Sequence, residues 1–235
     1  MVSSLFPLTL QDVAVRRQGK RIIGPIDLML DPQGPTIVIG PNGSGKTTLL
    51  RVMHGIERIN DGSVTWTAPD PSKHAFVFQS PIVLRRSVAE NLAYPLRLLK
   101  TPAGQVRETV GYWLDRIGLA SGQNSPATRL SGGERQKLAI ARALVRKPDV
   151  LFLDEPCANL DGHATREIET LLQEIAAAGT QLVMATHDMG QARRLAHDLV
   201  FMLDGKIHET GPAKTKFSAP QTEALAAFLR GDIVT

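Results

Sequence analysis

The chain has 235 residues, 43% of them hydrophobic, 21% charged and 5% aromatic, with 27 Lys and Arg against 23 Asp and Glu. That balance excludes a disordered, collagen-like or long coiled-coil protein, and the length suits one large core with a smaller lobe. The net charge of +4 sits in scattered pairs such as Arg16-Arg17, Arg85-Arg86 and Arg193-Arg194 with few aromatic residues between them, which argues against nucleic acid as a partner.

In chain order, residues 8–15 alternate as a strand, 16–21 read as a turn and 26–30 as a second strand, a β-rich opening. Residues 36–39 form a β-branched run entering a glycine-rich loop, and 47–56 have helical apolar spacing. Strands are expected at 63–67 and 74–80. Residues 87–120 are dominated by helical patterns with breaks at Pro95, Pro102 and Gly118, the mark of a helical lobe. A helix at 134–145 leads to a buried strand at 150–153. A helix at 163–178 precedes strand 181–186, and a helix at 189–195 precedes strand 199–203. Alternating β and α of this kind predicts an α/β fold with a mainly parallel sheet covered on both faces. Residues 220–231 predict a short amphipathic tail helix. No apolar run reaches the roughly 20 residues of a membrane span, the start lacks a basic export signal, and the single Cys157 forms no internal disulfide, so a cytoplasmic protein is expected.

Gly40-Pro41-Asn42-Gly43-Ser44-Gly45-Lys46-Thr47 matches G-x-x-x-x-G-K-[ST] between a predicted strand and a predicted helix. Its glycines turn backbone N–H groups around a polyphosphate, the helix dipole faces the same anion, Lys46 adds a mobile charge and Thr47 is left for Mg²⁺. The strand Val150-Leu151-Phe152-Leu153 ends in Asp154 and Glu155, adjacent acids whose repulsion a buried strand tolerates only beside a cation or substrate. Asp154 suits the Mg²⁺ shell, and Glu155 suits orienting or deprotonating a water that attacks a γ-phosphate. A second anion-binding helix start appears at Ser131-Gly132-Gly133-Glu134, with Ser131 as N-cap and two glycines exposing N–H groups. One chain holds one nucleotide, so this second end is read as serving a nucleotide on another copy of the chain, in an isologous pair closed by ATP.

GPNGSGKT, LSGGERQ and VLFLDEP, in that order, resemble the ATP-binding cassette (ABC) ATPase family over residues 8–211. The resemblance implies a P-loop NTPase (RecA-like) core with an N-terminal antiparallel β region and a small inserted helical subdomain. As one domain it would divide into a core at 1–86 and 141–211, a helical subdomain at 87–140 and a tail at 212–235. It also implies roles for lesser elements: Gln79 bridging Mg²⁺ or water to the membrane-facing lobe, Asp161 in the loop touching the opposite monomer, and His187 contacting the γ-phosphate. Catalysis would rest on Glu155, His187 and Lys46, with Thr48 among the nucleotide contacts and Thr47, Gln79 and Asp154 around the metal. The family usually places an aromatic residue at the end of the first strand to stack on adenine, and here Arg17 falls at that position. Two readings stand for it: its guanidinium plane stacks on the base, or it points to solvent.

The resemblance implies transport rather than soluble work on DNA or ribosomes, because the chain carries neither an inserted coiled coil nor a second cassette. A free-standing cassette resembles the ATPase of an importer assembled from separate chains: a second copy of itself, transmembrane permease subunits on the inner face of the plasma membrane and, indirectly, an extracytoplasmic binding protein. Stand-alone export and lipoprotein-release systems are the alternative. Residues 80–98 resemble the stretch that receives the permease's coupling helix, and most resemble importers of oxyanions, tungstate first and then molybdate or phosphate. The sequence continues for about 25 residues beyond the catalytic domain, so no C-terminal regulatory barrel is expected.

Overall fold

A computed structural model of the chain describes residues 5–232 and 234. In chain order the elements are β1 (Leu8–Arg17), β2 (Lys20–Leu30), β3 (Thr36–Ile39), α1 (Lys46–His54), β4 (Asp61–Trp66), β5 (His74–Val77), α2 (Val88–Leu98), α3 (Ala103–Arg116), α4 (Gly132–Leu144), β6 (Val150–Asp154), α5 (Gly162–Ala177), β7 (Gln181–Ala185), α6 (Met189–Leu195), β8 (Asp198–Leu203), β9 (Lys206–Pro212), α7 (Ala213–Ser218) and α8 (Glu223–Arg230).

Two sheets result. β1 and β2 form a hairpin around Gln18 and Gly19, and β4 joins the other side of β1 to give an antiparallel sheet β2-β1-β4. The second sheet has the order β5-β6-β7-β3-β8-β9, parallel throughout except for β9. Its inner parallel strands β3, β6, β7 and β8 are apolar on both faces, as covered parallel strands require. Leu151 and Leu153 of β6 pack into a core shared with α2 to α6, while Val150 and Phe152 turn to a core shared with α1 and the antiparallel sheet. α5 shows why the helices dock: Ile168, Leu171, Leu172 and Ile175 recur at helical spacing and are all buried.

Two departures from the sequence expectation have physical causes. Pro95 does not break the lobe's first helix; α2 runs through it because Leu92, Ala93 and Leu96 are buried on its inner face and packing outweighs one lost N–H bond. β9 and α7 were not expected, although Asp204-Gly205 between apolar residues is a two-residue hairpin signal; both have positive φ, 49° and 72°, and Leu203 faces Lys206 across the turn. Residue 140, the expected end of the helical lobe, lies inside α4, which packs on both α2 and β5 and so joins lobe to core. The outer ends of the expected division, residues 1–4, 233 and 235, lie outside the described residues.

Candidate functional site

The parallel strands all point one way, so their C-terminal ends gather the loops that follow β3, β5, β6 and β7 along one edge, where α/β sheets bind ligands. After β3, the loop of residues 40–45 leads into α1. Gly45 takes φ 99° and no side chain caps the helix. A Cβ on Gly45 would lie 2.4 Å from Ile23 Cγ2, so glycine is required there for space as well as for conformation. Ser44 is buried, and its Oγ has no hydrogen-bond partner among the described residues. A buried hydroxyl left in this way inside a ring of N–H groups fits an anionic oxygen as its partner. Lys46 is also buried and donates from Nζ to the carbonyls of Gly40 (2.8 Å) and Pro41 (3.0 Å). Burial pulls its pKa below the ordinary lysine value, against the opposing charges of Glu155 and Asp154. Pro41 and Asn42 complete the loop's crest, and Thr48 is buried behind it.

Thr47 Oγ1 donates to Asp154 Oδ1 at 2.9 Å. Asp154 is 2% exposed, and burial raises its pKa despite that bond and the nearby charges of Arg51 and Lys46. A hydroxyl and a carboxylate, both hard oxygen donors beside a phosphate loop, fit Mg²⁺, and an added cation would relieve the cost of burying Asp154 as an anion.

The next residue meets side chains that follow two neighbouring strands. Glu155 sits at φ 47°, a strained position for a residue with a side chain, and its N–H donates to Ala185 O. One of its oxygens, Oε2, accepts from Gln79 Nε2 at 3.3 Å and meets His187 Nδ1 at 3.0 Å. Because β5, β6 and β7 are neighbours, the three residues that follow their ends converge on a single carboxylate.

The structure thus brings together Lys46, Thr47, Gln79, Asp154, Glu155 and His187. Ser131, Glu134 and Asp161 are held by other partners. Ser131 and Glu134 form a closed capping box on α4, with Glu134 Oε2 bonded to Ser131 N–H (2.9 Å) and Oγ (2.8 Å), which holds the Glu134 carboxyl below its ordinary pKa. Asp161 caps α5 by accepting from His163 N–H and Ala164 N–H. Gly133 also has a reason in its own fold: its Cβ would stand 2.8 Å from Ala164 Cβ, so α4 and α5 approach closely there. Gly132 lies nearer open space, its Cβ position 3.4 Å from Leu160 Cδ2. Arg17 donates to Glu57 Oε2 at 2.5 Å, a partner that sequence reasoning missed because 40 residues separate the two.

The sequence profile of the ABC transporter family matches residues 23–158, from β2 through the phosphate loop to the acids after β6. The chain belongs to the ABC transporter family. It is one of that family's ATP-binding, ATP-hydrolysing members. Among its relatives are the phosphate import ATP-binding protein PstB 2 of Natronomonas pharaonis, 35% identical over 92% of this chain and 84% of the relative. Another is the tungstate uptake system ATP-binding protein TupC of Peptoclostridium acidaminophilum, 36% identical over 86% and 97%. Of solved structures, cbiO1 from Clostridium perfringens, described as part of the ABC transporter complex cbiONQ, superposes with a TM-score of 0.81 at 27% identity over 91% of each chain. The chain has no helix among its described residues that is long and apolar enough to cross a membrane.

Proposed function

We propose that this ABC ATPase is the energising subunit of a membrane importer and works as an ATP-closed pair of cassettes. Glu155 holds the attacking water and takes up its proton, and His187 orients Glu155 and faces the γ-phosphate. Lys46 and the loop of residues 40–47 bind the phosphates, with Thr48 behind them. Thr47, Asp154 and Gln79 hold Mg²⁺, which when bound neutralises phosphate charge. Ser131, Gly132 and Gly133 of the second copy, with Glu134 shaping their turn and Asp161 nearby, close over the γ-phosphate. Arg17, fixed by Glu57, offers a planar cation to the base in place of an aromatic ring.

The observation that carries the importer reading is a cleft of about 540 Å³ beside Gln79, between β5 and the helical lobe, lined by Phe78, Pro81, Ile82, Tyr94, Leu98 and Arg142. Ile82 and Leu98 are 70% and 66% exposed, large apolar surface that a permease helix would cover. Phe78, which lines the cleft, is the chain neighbour of Gln79, the residue that contacts Glu155, so seating a helix there is linked to hydrolysis. The protein would then lie on the cytoplasmic face of the membrane through its permease. The helical lobe at 87–140 would turn against the core at 1–86 and 141–211, with 212–235 as a packing tail.

Co-purification with the permease tests this reading: the double variant Ile82→Glu/Leu98→Glu is expected to lose the permease while keeping basal ATP hydrolysis, and retention of the permease would contradict it. The cargo proposed is an oxyanion, tungstate before molybdate or phosphate. Named relatives import phosphate, tungstate, glutamine and iron, and cargo contacts belong to other subunits. Cells lacking the chain should lose tungstate uptake at low external concentration and keep glutamine uptake; the opposite pattern overturns the cargo.

A further inference from the structure

The contact between His187 and Glu155 requires two loops to be held in register, and one buried amide reaches the segment behind each. α6 is only seven residues long, too short to stand without packing, yet its N-cap Asp188 directly follows His187. Gln191, on the inner side of α6, is 1% exposed. Its backbone N–H donates to Asp188 Oδ1 at 2.9 Å. Its side-chain amide donates to Glu169 Oε1 at 3.4 Å and lies beside the Cys157 thiol, two residues beyond Glu155. Glu169 is itself 6% exposed on α5 and accepts both Arg194 Nε and Nη2 at 2.7 Å, a two-pronged bond from the last turn of α6. An acid set beside the buried stripe of Ile168, Leu171, Leu172 and Ile175 is costly unless fully partnered, and here its partners Gln191 and Arg194 both lie on α6, the helix that follows His187.

We infer that Glu169, Gln191 and Arg194 form a positioning clamp for ATP hydrolysis. Glu169 anchors α6 through Arg194, and Gln191 ties α6 to the segment after Glu155, so that His187 Nδ1 and Glu155 Oε2 stay within hydrogen-bonding distance. None of the three is assigned to nucleotide or metal; they act through His187 and Glu155, and the inference rests on that pair being the hydrolytic one.

The test is steady-state ATP hydrolysis by the full chain with a double-mutant cycle. Arg194→Ala, Glu169→Ala and Gln191→Leu are each expected to lower kcat about tenfold while KM for ATP stays within about twofold, with Arg194→Lys recovering part of the loss. The variant His187→Ala/Arg194→Ala should be no slower than His187→Ala alone, because the clamp works through the histidine. Multiplicative losses in that double variant, or a rise in KM without a fall in kcat, would overturn the clamp. Should Glu169→Ala fail to fold, the Arg194 variants decide the matter, since that side chain is about half exposed. His187→Ala with wild-type turnover would instead overturn the reading of the catalytic pair, and the clamp with it.

Discussion

At the start of α1 no side chain caps the helix, Gly45 takes a left-handed φ and Ser44 keeps a buried hydroxyl without a partner; at the start of α4, Ser131 and Glu134 close a capping box and Gly133 is pressed against Ala164. Both are glycine-bearing helix N-termini with a neighbouring hydroxyl. The first leaves its donors to a ligand, and the second is satisfied within its own chain. In the proposed pair an anion would complete the α1 end, whereas at the α4 end it would meet a turn that is already formed. This asymmetry suits a two-copy site: one end would retain the nucleotide, and the other would recognise it only on closure.

The largest effect expected from breaking this contrast is at Lys46. Lys46→Ala removes a buried charge that meets the phosphates, and at about 1.5–3 kcal/mol for a charged hydrogen bond it should weaken ATP binding by about tenfold to a hundredfold. Ser131→Ala should leave single-chain ATP affinity unchanged within error. Equilibrium binding by isothermal calorimetry compares the two, and equal losses would erase the distinction. Gly133→Ala comes next: the added methyl must push α4 from α5 and should cost about 1–3 kcal/mol in urea unfolding. Ser131→Ala, losing only its cap, should cost about 1 kcal/mol in the same assay. A Gly133→Ala protein as stable as the parent would show that the helices do not meet there.

The last effect is a pH dependence at the far end of α1. Burial, with the charges of His74 and Arg146, lowers the His54 pKa from 6.5 to about 4. The unfolded chain takes up a proton on this imidazole near pH 6.5 while the folded chain resists until about pH 4, so stability is lost as pH falls through that window. The Tm of His54→Gln should decline less steeply from pH 6.5 to 4 than that of the parent, and parallel slopes would contradict the linkage.

Sequence alone made the phosphate loop and the acids after β6 legible because their chemistry is local: glycines, a lysine and a hydroxyl in eight residues, and two carboxylates at the end of one apolar strand. The meeting of Gln79 and His187 on a single oxygen of Glu155 depends on the order β5-β6-β7, which no local pattern carries. The same is true of Arg17 with Glu57 and of Gly133 with Ala164. Glu169 did leave a signal, an acid beside the apolar stripe of an amphipathic helix, and Asp204-Gly205 marked the turn into β9. Pro95 misled because tertiary burial outweighed its local preference.

The trapped pair of cassettes is tested most directly by sedimentation of Glu155→Gln with saturating ATP and Mg²⁺. With hydrolysis blocked and binding intact, this variant should sediment as a dimer that returns to monomer without nucleotide or when Ser131→Arg is added. A protein that binds ATP yet remains monomeric under those conditions would show that the turn at Ser131 does not close over a partner's nucleotide.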